Sequence, residues 1–519
     1  MAKILFLFCF GCYFSATDLL SQTLPWVQDD RSESEWYSEL KLRYPDSFSS
    51  FESNPESWEK WLSASKILNS KFEKVWNQEL RQRYTQQDTS AFFMNFMAYG
   101  SLTGASKPIY TKNIRGTGYG GAWAKLGKYT VFSSIFQIDN DVSIDNDYRG
   151  RTLNVVNNEQ VKGFLIHKHA YISFKMGWFE AIGGKNKIGW GPTSTSSLIL
   201  SHSAPPLDLI WFRYTAGSFR VTHFFSQMDY SIFSKKDNPS LLSDTEIQRN
   251  LAGVRIEARV TNNLTAGLSQ TILFPTRSPG FRIVYLNPLV TYFGERENIG
   301  LSALDDNINY SADLSFRIPG LHSYASLLID DFSLDGTVNN KLGFQIGTEL
   351  SDPVFSFPAS FLIEITKINP KVYTVKNTGG PLWLNYVFYG KMLSITQPDF
   401  SNGSILGHPL GPDAWQIYTR LKYWDFYPFR MDAAFLYRVL GKENTLIAQG
   451  SPFERDESHA FYEIKTGYEW TGWMVTSLFV QNRTQINSGH LRQNTSDWLI
   501  GGRFEMDLGY TYRSGKTLF

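Results

Sequence analysis

From about residue 91 onward, apolar residues recur at every second position in run after run. The single long apolar run, Ile4 to Phe14, is about half of what a membrane-crossing helix requires. A period of two is the mark of strands with one apolar and one polar face. In 164–176, Phe164, Ile166, Ala170, Ile172, Phe174 and Met176 share one face, interrupted only by Lys168. His167, His169, Tyr171, Ser173 and Lys175 share the other. In 254–260, Val254, Ile256, Ala258 and Val260 alternate with Arg255, Glu257 and Arg259. The pattern returns in 264–272, 312–318, 342–350, 473–482 and 498–512. In the last, Trp498, Ile500, Phe504, Met506, Leu508, Tyr510 and Tyr512 oppose Arg503, Glu505, Asp507 and Thr511. Asn262-Asn263, Asp335-Gly336 and Asn339-Asn340 are turn clusters between runs.

Such strands suit either a soluble sandwich or a membrane barrel, and three features favour the barrel. Many runs reach ten residues, the length needed to cross a bilayer at a tilt. Trp178, Trp211, Tyr214, Tyr292, Trp470 and Trp498 stand near run ends, where an interfacial girdle belongs. The polar face carries His, Lys, Arg, Glu and Asp together, as a lumen of paired charges does. Composition agrees, with 16 % aromatic and only 19 % charged residues. Without an apolar helix, a closed barrel is the one spanning structure that satisfies every backbone group. The 429 residues from 91 to 519 accommodate about 17–21 strands, and an even number near 18 is expected. The expected fold is all-β: a large closed antiparallel transmembrane barrel with a small N-terminal helical part. The terminal Phe519 suits such a barrel, although Arg513-Ser514-Gly515-Lys516 interrupts the alternation before it.

The N-terminal region reads differently. Lys3 followed by the run Ile4–Phe14 describes a secretory signal peptide over 1–21, with cleavage after Ser15-Ala16 or between Ser21 and Gln22. Cys9 and Cys12, the only cysteines, fall inside it, so the exported chain has no thiol chemistry. Asn54-Pro55 reads as an N-cap followed by proline at the first helical position. Trp58, Trp61, Leu62, Leu68, Phe72, Val75, Trp76 and Leu80 then predict an amphipathic helix over 55–84, with a weaker one over 32–43. The division is therefore leader 1–21, helical region 22–90 and barrel 91–519.

A net charge of +1 argues against nucleic acid as a partner. No catalytic constellation is readable, and no cofactor or metal is expected. His167 and His169 lie two apart on one face, but no third ligand is near in sequence, so they read as lumen lining. Asp139, Asp141, Asp145 and Asp147 lack the glycine and closing glutamate of a calcium loop. Asp330-Asp331 reads as a strand end meeting water, and Thr117–Gly121, rich in glycine, as a turn.

Three loop-like stretches, 183–206, 285–292 and 405–415, join Gly/Pro backbone control to aromatic or amide side chains. That suits rigid loops folded into a pore or presented outside. Trp190-Gly191-Pro192, Ser197–Ser201 with Ala204-Pro205-Pro206, Tyr285-Leu286-Asn287-Pro288, Leu328–Phe332 and Leu406–Asp413 stand in order over about 115–415, and together they resemble the Wzi family of capsule-assembly outer-membrane proteins. The resemblance implies an outer-membrane barrel of about 18 strands with its N-terminal helical part on the periplasmic side. It implies a non-catalytic lectin that holds exported capsular or extracellular polysaccharide at the cell surface, with a related branch serving gliding motility. For such a role, sugar recognition needs flat aromatic faces beside amides, carboxylates or hydroxyls, and the three loops offer Trp190, Asn287, His408, Asp413 and Trp415 as polysaccharide-binding candidates. Outer-membrane lipid, lipopolysaccharide and the barrel-assembly machinery are the other expected partners. A porin-like diffusion channel for small solutes and a surface-motility adhesin component stand as alternatives. An outer-membrane enzyme lacks a readable nucleophile with its base.

Overall fold

The computed structural model describes residues 53–55, 91–105, 114–126, 130–139, 165–201, 204, 206–233, 245–277, 282–299, 306–331, 341–351, 359–373, 390–391, 404–423, 429–444, 453–471 and 474–513. The leader, the helical readings over 32–43 and 56–84, the acidic loop beyond Asp139, and the side chains of His167 and His169 lie outside that description.

The wall strands in chain order are β1 (Ala91–Ala105), β2 (Ile114–Leu126), β3 (Thr130–Asp139), β4 (Leu165–Met176), β5 (Phe179–Asn186) and β6 (Leu207–Ala216). They continue with β7 (Phe219–Phe233), β8 (Thr245–Arg259), β9 (Leu264–Arg277), β10 (Asn307–Ile318), β11 (Leu321–Asp331) and β12 (Lys341–Leu350). The last six are β13 (Ala359–Ile368), β14 (Ala414–Tyr423), β15 (Phe429–Leu440), β16 (Glu457–Thr471), β17 (Met474–Ile486) and β18 (Thr495–Arg513). Each strand pairs antiparallel with its chain neighbours. β18 pairs with β1, from Ala91 opposite Arg513 to Ala105 opposite Leu499, so the eighteen strands form a closed barrel.

The two faces of each strand become an outside and an inside, with burial inverted relative to a soluble protein. On β8, Ile256 is 45 % exposed, whereas its neighbours Arg255 and Glu257 are fully buried. Leu268 on β9 is 63 % exposed, and Phe174, Ile346 and Leu478 are exposed on their strands. Apolar groups outside and charges inside match a barrel whose outer medium is hydrocarbon.

At one end the strands join by short turns. Gly177 (φ 54°) and Gly217 (φ 58°) turn β4 into β5 and β6 into β7 with left-handed backbone that a side chain would strain. The described parts of the longer connections, among them 187–201, 282–299, 369–373 and 404–413, lie at the other end. Aromatic belts mark both ends. Trp178 stacks on Tyr214 at 5.9 Å, and Tyr468 meets Trp470 at 4.7 Å, near the short turns. Trp415 meets Tyr437 at 5.4 Å near the long loops, where Trp498 is also exposed. Two residues expected in a girdle are not in one. Trp211 is an odd-numbered, inward-facing residue of β6 and is completely buried, and Tyr292 is buried in a connection.

Other local expectations change for tertiary reasons. Thr117–Gly121 is no turn but the middle of β2, where Gly120 lies opposite Phe96 on β1 and Phe136 on β3. Asn54 and Pro55, read as a helix start, belong instead to a short strand, Ser53–Pro55, paired antiparallel with Ile188–Trp190. Ladder pairing with a distant segment wins over the local capping signal. Asp330 does not meet water at a strand end; it faces inward and is buried.

Candidate functional site

The loop 187–206 folds back into the barrel. Its apolar residues Ile188, Trp190, Leu198, Ile199 and Leu200 form one buried cluster with inward residues of β4 to β9, β11, β13 and β14, among them Trp211, Phe224, Leu251, Leu273 and Leu328. Trp190 lies edge-on to Phe224 at 5.2 Å. Gly253 makes room for it, since a Cβ there would approach the Trp190 ring to 2.8 Å.

Polar groups pin the same loop to the wall. Ser194 donates its N–H to Tyr324 Oη at 3.2 Å and its hydroxyl to Glu349 at 3.0 Å. Thr195 donates to Glu364, which also accepts from Tyr324 at 2.5 Å, and Gln345 donates to the Ser196 carbonyl at 2.9 Å. Two further segments join from above. Tyr373 donates to the Leu198 carbonyl at 2.6 Å, His408 N–H donates to Tyr373 Oη at 3.1 Å, and Ser201 N–H donates to the Leu406 carbonyl at 2.8 Å. Together these segments form a plug with an apolar centre and a hydrogen-bonded edge. His408 is wholly enclosed, and burial pushes its imidazole down to about 3. Its Nδ1 accepts the Leu410 N–H at 3.2 Å, as a neutral ring does.

Above the plug, the long-loop ends of β14 to β17 form a mixed rim. Asp413 (φ 48°) accepts the Glu443 N–H at 2.7 Å, and its carbonyl accepts the Gly441 N–H at 2.6 Å. Asn444 donates to the carbonyls of Leu410 and Pro412. Lys371 pairs with Glu443 at 3.5 Å. Phe453 donates its N–H to the Lys442 carbonyl at 2.7 Å and lies flat on the His490 ring, 3.8 Å away and 2° from parallel. The Phe453 ring is partly exposed, and the Lys442 carbonyl accepting its backbone N–H belongs to the segment bearing Glu443 and Asn444, a carboxylate and an amide on the same rim. Those are the groups that take a sugar ring's C–H face and its hydroxyls.

The five residues predicted from sequence do not converge. Trp190 and His408 are 1 % exposed inside the plug, so no sugar reaches them in this conformation. Trp415 points outward, because β14 places its even-numbered residues inward and its odd ones on the apolar face. Asn287 lies on the outside of the wall in the connection 278–306, where its Oδ1 accepts the Leu289 N–H at 3.0 Å. Asp413 alone is on the rim. Lys371, Phe453 and His490 were not singled out from sequence. They sit in separate connections, and no local pattern announces their meeting.

No curated protein matches the chain in sequence. Among solved structures, the chain is similar to Wzi of Escherichia coli, described as an outer-membrane, carbohydrate-binding β-barrel involved in group 1 capsule assembly. The identity is 12 %, 94 % of this chain and 99 % of that chain are covered, and the TM-score is 0.54. It is also similar to the outer-membrane protein OpdK of Pseudomonas aeruginosa (11 % identity, 82 % and 99 % covered, TM-score 0.44). A third is OccAB4 of Acinetobacter baumannii (7 % identity, 82 % and 99 % covered, TM-score 0.43). The family model described as capsule assembly protein Wzi matches residues 109–517, and the chain belongs to this family of outer-membrane proteins.

Proposed function

We propose that this protein is a non-catalytic lectin that holds capsular or extracellular polysaccharide at the cell surface, binding it on the rim around Phe453. The observation carrying this reading is the plug. With 187–206 bonded to β11, β12 and β13 and capped by Tyr373 and His408, the barrel offers its rim to a ligand rather than a conduit. Bacterial barrels have short periplasmic turns and longer external loops, which directs the rim outward. A polymer resting there needs many weak contacts rather than one deep pocket. Phe453, with Asp413, Glu443 and Asn444 on the same rim, provides one such station.

Deleting the gene is expected to shed polysaccharide into the medium while its synthesis continues. Purified protein on an array of bacterial polysaccharides is expected to bind, and Phe453→Ala to weaken binding roughly two- to ten-fold, the range of about 0.5–1.5 kcal/mol for an aromatic contact. Unchanged cell-bound polysaccharide together with a large steady conductance in a planar bilayer would overturn this reading in favour of a diffusion channel.

A further inference from the structure

The connection between β9 and β10 does something neither plug nor rim explains, because it lies against the outside of the wall. A short helical turn (Ile283–Leu286) and a helix, α1 (Tyr292–Ile299), are laid over the outward face of β7 to β10. Tyr285 and Tyr292 are fully buried beneath them. They contact each other at 5.3 Å, and Tyr285 meets Phe274 at 4.7 Å, within a cluster that includes Phe225, Val254, Ile272 and Ile308. All of these wall residues are on the apolar face. The strap therefore covers the upper half of a surface whose lower half, Ile256, Leu268 and Leu314, is bare.

Two observations fix the medium around the strap. The first is Gln270, an amide at the middle of β9 between outward-facing Leu268 and Ile272. Such a group facing hydrocarbon is costly unless its bonds are made. It makes both with the strap, donating to the Val290 carbonyl at 2.9 Å and accepting the Tyr292 N–H at 3.3 Å. The second is the strap's backbone. The Tyr285 N–H bonds to the Arg282 carbonyl, the Asn287 N–H to that of Val284 and the Val290 N–H to that of Asn287. The Leu289 N–H goes to the Asn287 side chain, and Pro288 has none to satisfy. Internal pairing of these groups lowers the cost of placing the segment in lipid, where no water is at hand to satisfy them. Its outer side exposes Ile283 (72 %), Leu289 (86 %) and Phe293 (55 %), with the smaller polar residues Asn287 and Thr291 between them.

We infer that the strap is sunk in the bilayer, with Ile283, Leu289 and Phe293 held against the acyl chains of outer-leaflet lipid. The partner is the lipid itself, because this face continues the lipid-facing band of the wall below it. Asn287 then acts as a backbone cap that makes the insertion tolerable. This does not depend on polysaccharide binding and is tested separately.

The test uses full-length protein carrying Cys9→Ser and Cys12→Ser, which leaves no cysteine. Leu289→Cys is labelled with an environment-sensitive dye and reconstituted in phosphatidylcholine vesicles. Leu268→Cys on the wall serves as the lipid reference, and Asn263→Cys in a short turn as the water reference. The expected result is a blue-shifted emission matching that at 268, quenched by lipid carrying a nitroxide on its acyl chain and protected from aqueous iodide. Iodide quenching like that at 263 overturns the inference by putting the strap in water. Protection from both quenchers overturns it by putting another protein surface there.

Discussion

Arg255 and Asp313 meet across a strand to which neither belongs. Arg255 is on β8 and Asp313 on β10, yet the guanidinium forks onto the carboxylate at 2.6 and 2.8 Å over the lumen face of β9. Gly267 on β9 permits this, since a Cβ there would lie 2.7 Å from both Arg255 Cζ and Asp313 Oδ1. Breaking a buried pair leaves an uncompensated charge, at a cost of about 3–5 kcal/mol, whereas replacing both partners with apolar groups is often neutral. Asp313→Leu is therefore expected to lower the temperature at which the folded barrel loses its fast-migrating band on unboiled gels. Arg255→Met with Asp313→Leu should recover part of that loss, the remainder reflecting buried Glu257, which also pairs with Arg255 at 3.3 Å. Equal losses in the single and the double variant would show that the pair is not coupled.

His408 makes the plug sensitive to acid. Burial depresses its imidazole to about 3, so it stays neutral in the folded plug while an unfolded histidine titrates near 6.5. The folded state therefore binds fewer protons between those values, and stability falls as pH drops from about 6.5 toward 3. The full contribution is present above 6.5. The accessibility of 187–206 to protease is expected to rise as pH is lowered through this window. His408→Gln, which cannot titrate, should flatten the response. A wild-type profile that stays flat from pH 7 to 4 would contradict the assignment.

The wall was legible because its signal is local and repeated. Phe174, Ile256 and Leu268 face outward as their alternation requires, and turn residues such as Asn262-Asn263 separate the strands. The candidate site was far less so. Trp190 and His408 carry the chemistry of sugar contact, but they serve in a plug whose loop 187–206 is held by Tyr324, Glu349 and Glu364, more than a hundred residues beyond it. Asn287 likewise has the right side chain for a sugar hydroxyl and spends it on a backbone N–H. Composition reveals which groups a loop has, but not which side of the wall the loop takes. Trp415 shows the opposite limit. The two-residue period does settle its side, and inward-facing Gln416 and Tyr418 place it outward.

Asp413 holds the rim together from a strained position. Its φ of 48° is one that β-branched and bulky residues avoid and that Asp tolerates. Its carboxylate caps the Glu443 N–H at 2.7 Å while its own N–H bonds to the Asn369 carbonyl at 3.0 Å. Asp413→Ala removes the cap and keeps the strain, for a local cost of about 1–3 kcal/mol. Faster protease cleavage within 441–456 is expected, with the melting of the barrel unchanged. Asp413→Asn, which keeps an acceptor and tolerates the backbone, should cleave at nearly the wild-type rate. If the two variants behave alike, the carboxylate is not the cap.

The plug itself can be tested by removing it. Trp190 is its largest buried side chain, lodged between Phe224 and the space left by Gly253, and truncating it to alanine leaves a cavity costing about 3–5 kcal/mol. The wall does not need this loop to close, because β5 and β6 pair directly from Phe179–Tyr214 to Asn186–Leu207. Replacing 191–201 with a short Gly/Ser linker is thus expected to leave a heat-modifiable barrel that conducts ions steadily in a planar bilayer. The intact protein should be nearly silent, and Trp190→Ala should flicker between the two levels as the loosened plug swings out. An intact protein that conducts as well as the deletion would mean that the loop, for all its bonds to Tyr324, Glu349 and Glu364, does not obstruct the lumen.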